Sequence, residues 1–568
     1  MLKPRSNPLN YLKHPSYFLS NHFTTISGFR QVNDELDSCP NLLKVSEFFN
    51  SNKKLDGYSL VSLIRKCTQL GCYSYGQQLH SYVLQSGFVS NGYVSTALIN
   101  FYVKFECLDD AQKLFDEIPE PSVVSWNSLI SGHVRCGEFS KALCLFMQLE
   151  KSGVCSDAFS FTAALAACGK LGLLRLGMSI HSKIMKYGDE CSVVTSNCLI
   201  DMYGKCGCVE EAICLFEEMN DRDTISWNSV IAACARNQRL EQASRFLKQM
   251  PEPDTISYNE LINGIAQFGK IEDAIALLAT MSKPDSSSWN SIITGYVNRN
   301  HAREALEIFI KMHFEGMRMD QFTFSSILSG IGSISALAWG TLVHCCTIRS
   351  GLDKSVVVGS ALIDMYSKCG QVKEAEILFH SLSCKNLITW NAMISGYAHN
   401  GNSNKVIELF EQLKSVKHLK PNGITFVNVL SACWHNRMPF KVANNYLNSM
   451  QRDYGINPTA EHCSAIIRSM GQEGEVGRAQ KMIGDLGLGS DGKVWRALLG
   501  ACGMCGDVDV AEVAAAKLTE LEGDNEFIYV KLSNIYAMHE KWEDVGSVRK
   551  EMRDKQVQKE VGCSWIEA

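Results

Sequence analysis

A dipeptide of tryptophan and asparagine recurs along this chain at a small set of spacings. The steps between its five sites are 101, 31, 31 and 101 residues. A sequence that returns at such intervals indicates a tandem array of small supersecondary repeats, which constrains the fold more strongly than length does. The sites are Trp126-Asn127, Trp227-Asn228, the variant Tyr258-Asn259, Trp289-Asn290 and Trp390-Asn391.

A second string follows the same intervals. The run from Asp201 to Gly207 returns between Asp364 and Gly370, 163 residues later. Repeats of about 35 and 31 residues account for these steps, and thirteen can be placed in the sequence. Their bounds are 57–91, 92–122, 123–157, 158–192, 193–223, 224–254, 255–285, 286–320, 321–355, 356–386, 387–422, 423–459 and 460–491.

Each repeat is predicted to form two helices. In repeat 123–157, a 3.6-residue period of apolar side chains predicts a first helix from Trp126 to Arg135. Gly137 is typical of a helix end, and a second helix is expected from Glu138 to Lys151. Two such helices cannot bury their apolar faces alone, so neighbouring repeats must stack. The prediction is an all-α fold, a right-handed α-solenoid of helix–turn–helix repeats with a concave face.

Composition narrows the class of protein. No apolar run of about 18 residues occurs, so no transmembrane helix and no membrane partner are expected. The net charge is −5, without the basic excess typical of nucleic-acid binders, although net charge does not report how charges are distributed.

The 23 cysteines are interpreted as small buried hydrophobic residues in a reducing compartment rather than as a disulfide framework. The lone Cys502-Gly-Met-Cys505 has no second pair at zinc spacing, so neither a metal nor another cofactor is expected. The recurrent cysteines are Cys136, Cys206 and Cys369 at one position, and Cys67, Cys168, Cys433 and Cys502 at a related one.

The first 33 residues contain four basic residues and no acidic one before Asp34. This pattern predicts an organellar transit peptide over 1–33, followed by a flank at 34–56. Mitochondrial import is the first expectation and plastid import the alternative. A merely disordered N-terminus is the competing interpretation.

The alternating repeats, with Ser-Trp-Asn near Trp126 and Asp-Met-Tyr-x-Lys-Cys-Gly at Asp201 and Asp364, closely resemble plant pentatricopeptide repeat (PPR) proteins. The mixed lengths resemble the PLS subclass, which alternates canonical, long and short repeats. A tetratricopeptide array would keep a uniform 34-residue period, which this chain lacks.

Residues 492–568 resemble the E-type motifs of that family's RNA-editing factors. The strings that carry the likeness are Val494–Cys502, Tyr529–Ala537 and Gly562–Glu567, and Val561 replaces the usual proline before Gly562. The chain ends at Ala568, so the DYW deaminase domain is expected to be absent.

A zinc deaminase needs His-x-Glu and a later Pro-Cys-x-x-Cys. His313-Phe-Glu315 is interpreted as a chance match in an inter-helix loop, because no such cysteine pair follows it. No catalytic residue is expected, and the protein is predicted not to be an enzyme. His80, His181 and His344 recur at one site of the long repeats and are interpreted as structural.

The family resemblance implies that each repeat reads one base of single-stranded RNA through its fifth residue, on the first helix, and its last residue, in the loop beside it. Ser360 with Asn386 resembles an adenine reader, Asn391 with Asn422 a cytosine-biased pyrimidine reader, and Ser464 with Asp491 a guanine reader. Asn with Asp favours uracil, and this pair occurs at Asn127/Asp157, Asn197/Asp223, Asn228/Asp254, Asn259/Asp285 and Asn290/Asp320.

With the protein N-terminus at the RNA 5′ end, repeats 123 to 422 should therefore favour U-n-U-U-U-U-n-A-(C/U). Helix capping is the competing interpretation, since Asn and Asp are favoured at helix starts. Five further pairs carry no assigned base: Val61/Asn91, Thr96/Ser122, Thr162/Ser192, Ser325/Ser355 and Val427/Thr459.

The leading functional hypothesis is a site-recognition factor for C-to-U editing of an organellar transcript. The expected partners are single-stranded organellar RNA, a DYW-type deaminase protein in trans and multiple organellar RNA editing factors. The alternatives are a factor for organellar RNA splicing, stabilisation or processing, and a helical scaffold that binds proteins.

Overall fold

The computed structural model describes residues 55–187, 192–416 and 419–557, and the predicted transit peptide at 1–33 lies outside them. Every regular element in these residues is helical, as the sequence predicts. The chain divides into two compact halves, Met1–Gly264 and Ile265–Ala568, with the division inside one helix.

The N-terminal half consists of helix pairs in chain order, with a short 3₁₀ helix at Phe88–Ser90. Its helices are α1 (Gly57–Leu70), α2 (Tyr73–Ser86), α3 (Gly92–Lys104), α4 (Leu108–Asp116), α5 (Val123–Arg135), α6 (Phe139–Lys151), α7 (Ala158–Leu171), α8 (Leu174–Tyr187), α9 (Val193–Lys205), α10 (Val209–Glu218), α11 (Thr224–Arg236) and α12 (Leu240–Gln249), and α13 (Thr255–Phe268) contains the division.

The C-terminal half continues the same alternation. Its helices are α14 (Ile271–Thr280), α15 (Ser286–Asn298), α16 (Ala302–Phe314), α17 (Gln321–Ser333), α18 (Leu337–Arg349), α19 (Val356–Lys368), α20 (Val372–Ser381), α21 (Leu387–His399), α22 (Ser403–Ser415), α23 (Gly423–His435), α24 (Phe440–Tyr454), α25 (Ala460–Gln472), α26 (Val476–Asp485), α27 (Gly492–Cys505), α28 (Val508–Glu522), α29 (Glu526–Met538) and α30 (Trp542–Asp554).

The first helix of each repeat begins at the first residue of the repeat as phased from the sequence. In repeat 123–157 the first helix starts at Val123 rather than at Trp126, because the Ser122 hydroxyl caps it by accepting from the Ser125 amide. The second helix starts at Phe139, one residue later than expected. Helix starts therefore depend on the capping residue, which precedes the apolar pattern.

The recurrent tryptophan joins one repeat to the next. Trp126 is buried, and its ring packs edge-on against Phe115 in α4, with centroids 4.5 Å apart. Trp227 packs in the same way on Phe216 at 4.8 Å, and Trp390 on Phe379 at 5.1 Å. In each case a first helix is held to the second helix of the preceding repeat.

Three recurrent histidines join long repeats to the repeats that follow them. Nδ1 of His181 lies 2.9 Å from the Tyr203 hydroxyl, with equivalent contacts from His80 to Tyr102 at 2.8 Å and from His344 to Tyr366 at 2.9 Å. Burial is the main influence on these imidazoles and lowers their pKa. They are neutral packing groups, as the sequence indicated.

The cysteine prediction is right for one set and wrong for the other. Cys67, Cys168, Cys433 and Cys502 are buried, and burial raises the pKa of the Cys168 thiol to about 11. Cys136, Cys206 and Cys369 are only partly buried, because each is the residue that ends a first helix. The glycine that follows each has a positive φ and turns the chain away from the core.

Adjacent first helices approach most closely where small residues meet. A Cβ added at Gly204 in α9 would lie 2.5 Å from the Cβ of Ala233 in α11. We expect Gly204→Ala to lower the free energy of unfolding by about 1–3 kcal/mol, because the helices must separate. Urea denaturation followed by circular dichroism measures the change.

The matched control is Gly500→Ala in α27, where an added Cβ meets no atom within 4 Å. That substitution should raise the free energy of unfolding by about 0.5–1 kcal/mol, the usual gain from replacing glycine inside a helix. Equal effects at the two sites would contradict the close approach of α9 and α11.

Candidate nucleic-acid interface

The second residue of most first helices is a large apolar side chain that stays exposed. Phe159 is 74% exposed and Ile225 is 62% exposed, although most other apolar residues of these two helices are buried or partly buried. Single exposed apolar residues are ordinary, but the same position in repeat after repeat forms an apolar row. Its members are Tyr58, Tyr93, Val124, Phe159, Val194, Ile225 and Ile256 in the N-terminal half, and Phe322, Ile388 and Ile424 in the C-terminal half.

Beside this row, a three-residue network links the fifth residue of a repeat to its last. In repeat 123–157, the Asn127 amide Nδ2 donates to Asp157 Oδ1 at 2.8 Å. The hydroxyl of Ser160, the third residue of the next repeat, lies 2.6 Å from Asn127 Oδ1 and 2.9 Å from Asp157 Oδ1. The amide is thereby fixed in one orientation.

The same amide-to-carboxylate bond recurs in other repeats. Asn197 donates to Asp223 at 3.1 Å, Asn228 to Asp254 at 3.3 Å, and Asn290 to Asp320 at 3.1 Å. Asn391 donates to the amide oxygen of Asn422 at 3.1 Å. These pairs, selected from the sequence by position, therefore lie in direct contact.

The third residue of the following repeat completes these networks to different degrees. The hydroxyls of Ser257 and Thr425 reach both members of their pairs, at 2.7 Å from Asn228 Oδ1 and 2.7 Å from Asn391 Oδ1. By contrast, Oδ1 of Asn197 and of Asn290 is buried and has no hydrogen-bond partner. These hydroxyl residues were missed from the sequence, although their constant position was a signal for them.

Capping explains one residue of each pair but not the other. Asp157, Asp223, Asp285 and Asp320 are the N-caps of the next first helix, each with a reciprocal capping box. The fifth-position asparagines instead lie inside their helices, and no helix start needs them there. Their amides are held in place by the cap, so capping and side-chain presentation are coupled.

The carboxylates of Asp223 and Asp254 are charged at neutral pH. Burial raises the pKa of the Asp223 carboxyl, but hydrogen bonds from the backbone and hydroxyl of Ser226 and from Asn197 outweigh burial and hold the pKa below its usual value. Ser257 and Asn228 act in the same way on Asp254. An ionised oxygen that only accepts hydrogen bonds fixes the amide with its N–H toward the cap.

Two of the selected pairs are not in contact. The Ser360 hydroxyl donates to the Val356 carbonyl at 2.7 Å and meets Thr389 Oγ1 at 2.8 Å, so Thr389 stands between it and Asn386. Serine is shorter than asparagine and cannot span this distance.

Ser464 also turns back, to the Ala460 carbonyl at 2.7 Å. Asp491 caps α27 by accepting from the Lys493 amide at 2.8 Å, without reaching Ser464. The remaining predicted pair falls across the division of the chain, with Asn259 in α13 and Asp285 as the cap of α15.

Basic residues recur at the thirteenth position of five consecutive repeats in the N-terminal half. Lys104 and Lys170 are exposed, whereas Lys205 and Arg236 both pair with Asp201, Arg236 at 3.1 Å. Arg135 donates to the Val103 carbonyl at 2.5 Å. These thirteenth residues lie on the same helix face as the second residue of each repeat. An alignment of the repeats by their first residues could have revealed them in the sequence.

A groove of about 720 Å³ lies along the first helices at the start of the array. The exposed side chains of Tyr93 and Val124 line it, together with Thr96, Ser122 and Arg65. Thr96 Oγ1 donates to the Gly92 carbonyl at 2.6 Å and lies 2.7 Å from the Ser125 hydroxyl. The groove thus contains Thr96 and Ser122, the fifth and last residues of repeat 92–122.

The structure places the deaminase-like tripeptide differently from the sequence expectation. His313 and Phe314 are the last two residues of α16 and Glu315 follows it, so the motif ends a helix rather than lying in a loop. Among the described residues, no group of three or more His, Cys, Asp or Glu side chains could hold a metal ion. None of the described helices is long and apolar enough to cross a membrane.

Comparison with family models matches most of the array. The PPR repeat model matches 93–120, 194–223, 225–252, 256–283 and 360–387, and a model of the PPR repeat family matches 121–170, 284–333 and 385–435. The E motif model matches 506–567. That match includes the strings at Tyr529 and Gly562, and begins after the one at Val494.

Relatives and solved structures agree with these matches. A pentatricopeptide repeat-containing protein of Arabidopsis thaliana is 52% identical over 526 residues, covering 92% of this chain and 91% of its own. Another from the same plant, named mitochondrial, is 32% identical over 506 residues and covers 89% and 71%.

The crystal structure of the maize protein PPR10 in complex with an 18-nt psaJ RNA element matches with a TM-score of 0.53 at 17% identity. It covers 93% of this chain and 89% of that one, which shows the shared helical solenoid fold. The chain belongs to the pentatricopeptide repeat family, in the PLS type that carries an E motif.

Proposed function

We propose that this protein binds single-stranded organellar RNA, selects a site for C-to-U editing and recruits a deaminase in trans. The observation that carries RNA binding is the repeated contact between a fifth-position Asn and the cap residue that ends its repeat, beside a row of exposed apolar side chains. The related protein PPR10 was crystallised with RNA, which supports the same ligand class here.

The geometry suits reading of a uracil edge. Asp254 uses one N–H of the Asn228 amide and leaves the other N–H to donate to a uracil carbonyl oxygen. The Asn228 amide oxygen accepts from the Ser257 hydroxyl and keeps a second lone pair that can accept from uracil N3–H. Exposed apolar residues such as Val194 and Ile225 would pack on the base faces.

The thirteenth-position cations would contact the phosphates. Lys104 and Lys170 are exposed on the same helix face as the apolar row, at the end of the first helix. Phosphate contacts of this kind are independent of base sequence and weaken as salt rises. The net charge of −5 is compatible with RNA binding, because net charge does not report how the charges are distributed.

Partner proteins would bind other surfaces. The second helices of two long repeats expose apolar side chains, among them Met185 in α8 and Leu342 and Ile348 in α18, which are 65%, 58% and 55% exposed. We assign the exposed side chains of each of these helices to contacts with the multiple organellar RNA editing factors, and the E-type segment to the DYW-type deaminase. The protein itself is then not an enzyme.

The first test is binding to an RNA that contains U-n-U-U-U-U-n-A-(C/U). We expect it to bind at least tenfold more tightly than the same RNA with the four-uridine run replaced by cytidines, at one fixed salt concentration. Equal affinity for both RNAs would contradict base reading. Conversion of cytidine by the purified protein alone would contradict the recruitment of a deaminase.

The second test compares organellar transcripts from plants with and without the gene. One cytidine that stays unedited only without the gene supports the editing role, whereas unchanged editing with altered splicing or transcript ends supports the alternative. We propose mitochondria as the compartment, with plastids as the alternative. A fluorescent fusion of residues 1–56 that stays in the cytosol would contradict both.

A further inference from the structure

The space in which each repeat would hold one base is called its base slot here, and the side chains on either side of it are its walls. The walls of the last repeat, 460–491, differ from those of the other repeats. In the array, a base read by one repeat would lie between the second residue of that repeat and the second residue of the next. For repeat 193–223 these are Val194 and Ile225, both apolar and more than half exposed. For repeat 460–491 they are Glu461 and Lys493.

These two charged residues are bonded to each other. Lys493 Nζ lies 2.9 Å from Glu461 Oε1, with side-chain exposures of 64% and 59%. A base between two walls needs van der Waals contact on both faces, so the walls must stand roughly 7 Å apart. The contact between Lys493 Nζ and Glu461 Oε1 places the two side chains in the space that a base would fill.

The fifth and last residues of this repeat, Ser464 and Asp491, are also not hydrogen-bonded to each other. Ser464 Oγ donates to its own helix at Ala460 and lies 3.4 Å from the Lys493 carbonyl, and Asp491 accepts only from the Lys493 amide among the described contacts. The third residue of the next helix is Val494, which is buried and has no hydroxyl to join the pair. The network that fixes Asn228 in its repeat has no counterpart here.

We infer that the Glu461–Lys493 ion pair closes the base slot of repeat 460–491, so that base reading by the repeats ends before it. This inference rests on the proposed RNA-binding function and replaces the guanine reading assigned to Ser464 and Asp491 from the sequence. Lys493 belongs to α27, the first helix after the repeats. The E-type segment thus sets the 3′ limit of the sequence that is read.

The test measures the affinity of the full-length protein for four RNAs that differ only in the nucleotide opposite repeat 460–491. Wild-type protein should bind all four within about twofold. The double variant Glu461→Val/Lys493→Val, which supplies two apolar walls, should prefer one base by about fivefold or more. Four RNAs varied opposite repeat 224–254 serve as the positive control, where uridine should be preferred.

Each outcome has one meaning. A wild-type preference for guanine opposite repeat 460–491, with the control preference intact, overturns closure of the slot and leaves the proposed function standing. A double variant that stays indifferent also overturns closure by the ion pair. Absence of RNA binding, or of any preference in the control, overturns the proposed function and this inference with it.

Discussion

Removal of residues 526–568 is expected to abolish editing of the target cytidine while leaving RNA affinity within about threefold of wild type. The reading networks lie in helices α5 to α23, far along the chain from this segment. The segment carries α29 and α30 and most of the matched E motif. If it recruits the deaminase, its loss removes the chemistry but not the binding site.

The boundary of this deletion follows from packing. Helix α27 packs closely on α25, so a deletion from 492 would remove α27 and expose buried residues of α25 such as Ile466 to water. Ending the protein after α28 keeps that interface. What is lost is a smaller contact, in which the Tyr536 hydroxyl donates to Glu512 at 2.8 Å.

Two measurements separate the possible results. The edited fraction is determined in plants that lack the gene and express either protein, and the dissociation constant is measured on the purified proteins. Full editing by the shortened protein would contradict recruitment through the E motif. A shortened protein that no longer binds RNA would show instead that this segment takes part in binding. Deletion of 558–568 alone tests whether removal of the Gly562–Glu567 string is enough to abolish editing.

Asn228→Ser is expected to change the base preferred by repeat 224–254 from uracil to guanine. The Asn228 amide contacts both Asp254 and Ser257, so its removal empties the slot and leaves Asp254 as the nearest acceptor. Guanine offers N1–H and an amino group to an acceptor, whereas uracil does not fill the space. Affinity for the original RNA should fall by about 1–3 kcal/mol, or roughly fivefold to 150-fold.

A compensating U-to-G change at that single nucleotide should restore much of the affinity. The matched control is Asn263→Ser, the same chemical change at an exposed residue of α13 that lies outside the fifth position. The control should leave the preference for uridine unchanged at every nucleotide. If Asn228→Ser weakens all RNAs equally, Asn228 supports packing and does not read a base.

Much of the fold follows from local sequence. Repeats of about 31 or 35 residues place the start of each first helix, because the cap and the apolar pattern are set by neighbouring residues in the chain. The Trp-Asn dipeptide shows why the period is so clear. Trp126 packs against Phe115 of the preceding repeat, and Asn127 contacts Asp157 at the end of its own repeat, so both residues are fixed by contacts at the borders between repeats.

Contacts between the fifth and the last residue of a repeat were only partly predictable. Position alone paired Asn228 with Asp254, but it paired Ser464 with Asp491 equally, and these two do not touch. The difference is the length of the fifth side chain and the hydroxyl of the third residue in the next repeat. Selection of a pair by its two positions alone takes neither feature into account.

The sequence by itself determined the all-helical class, the starts of the repeats and the residues that share one face of each first helix, since these depend on periodicity within one helix. Only the tertiary structure decided which of the selected side chains are in contact. The ion pair between Glu461 and Lys493 joins side chains 32 residues apart, on two helices whose spacing is set by the packed core beneath them. Such a contact depends on where the core places the two helices, and no local pattern specifies it.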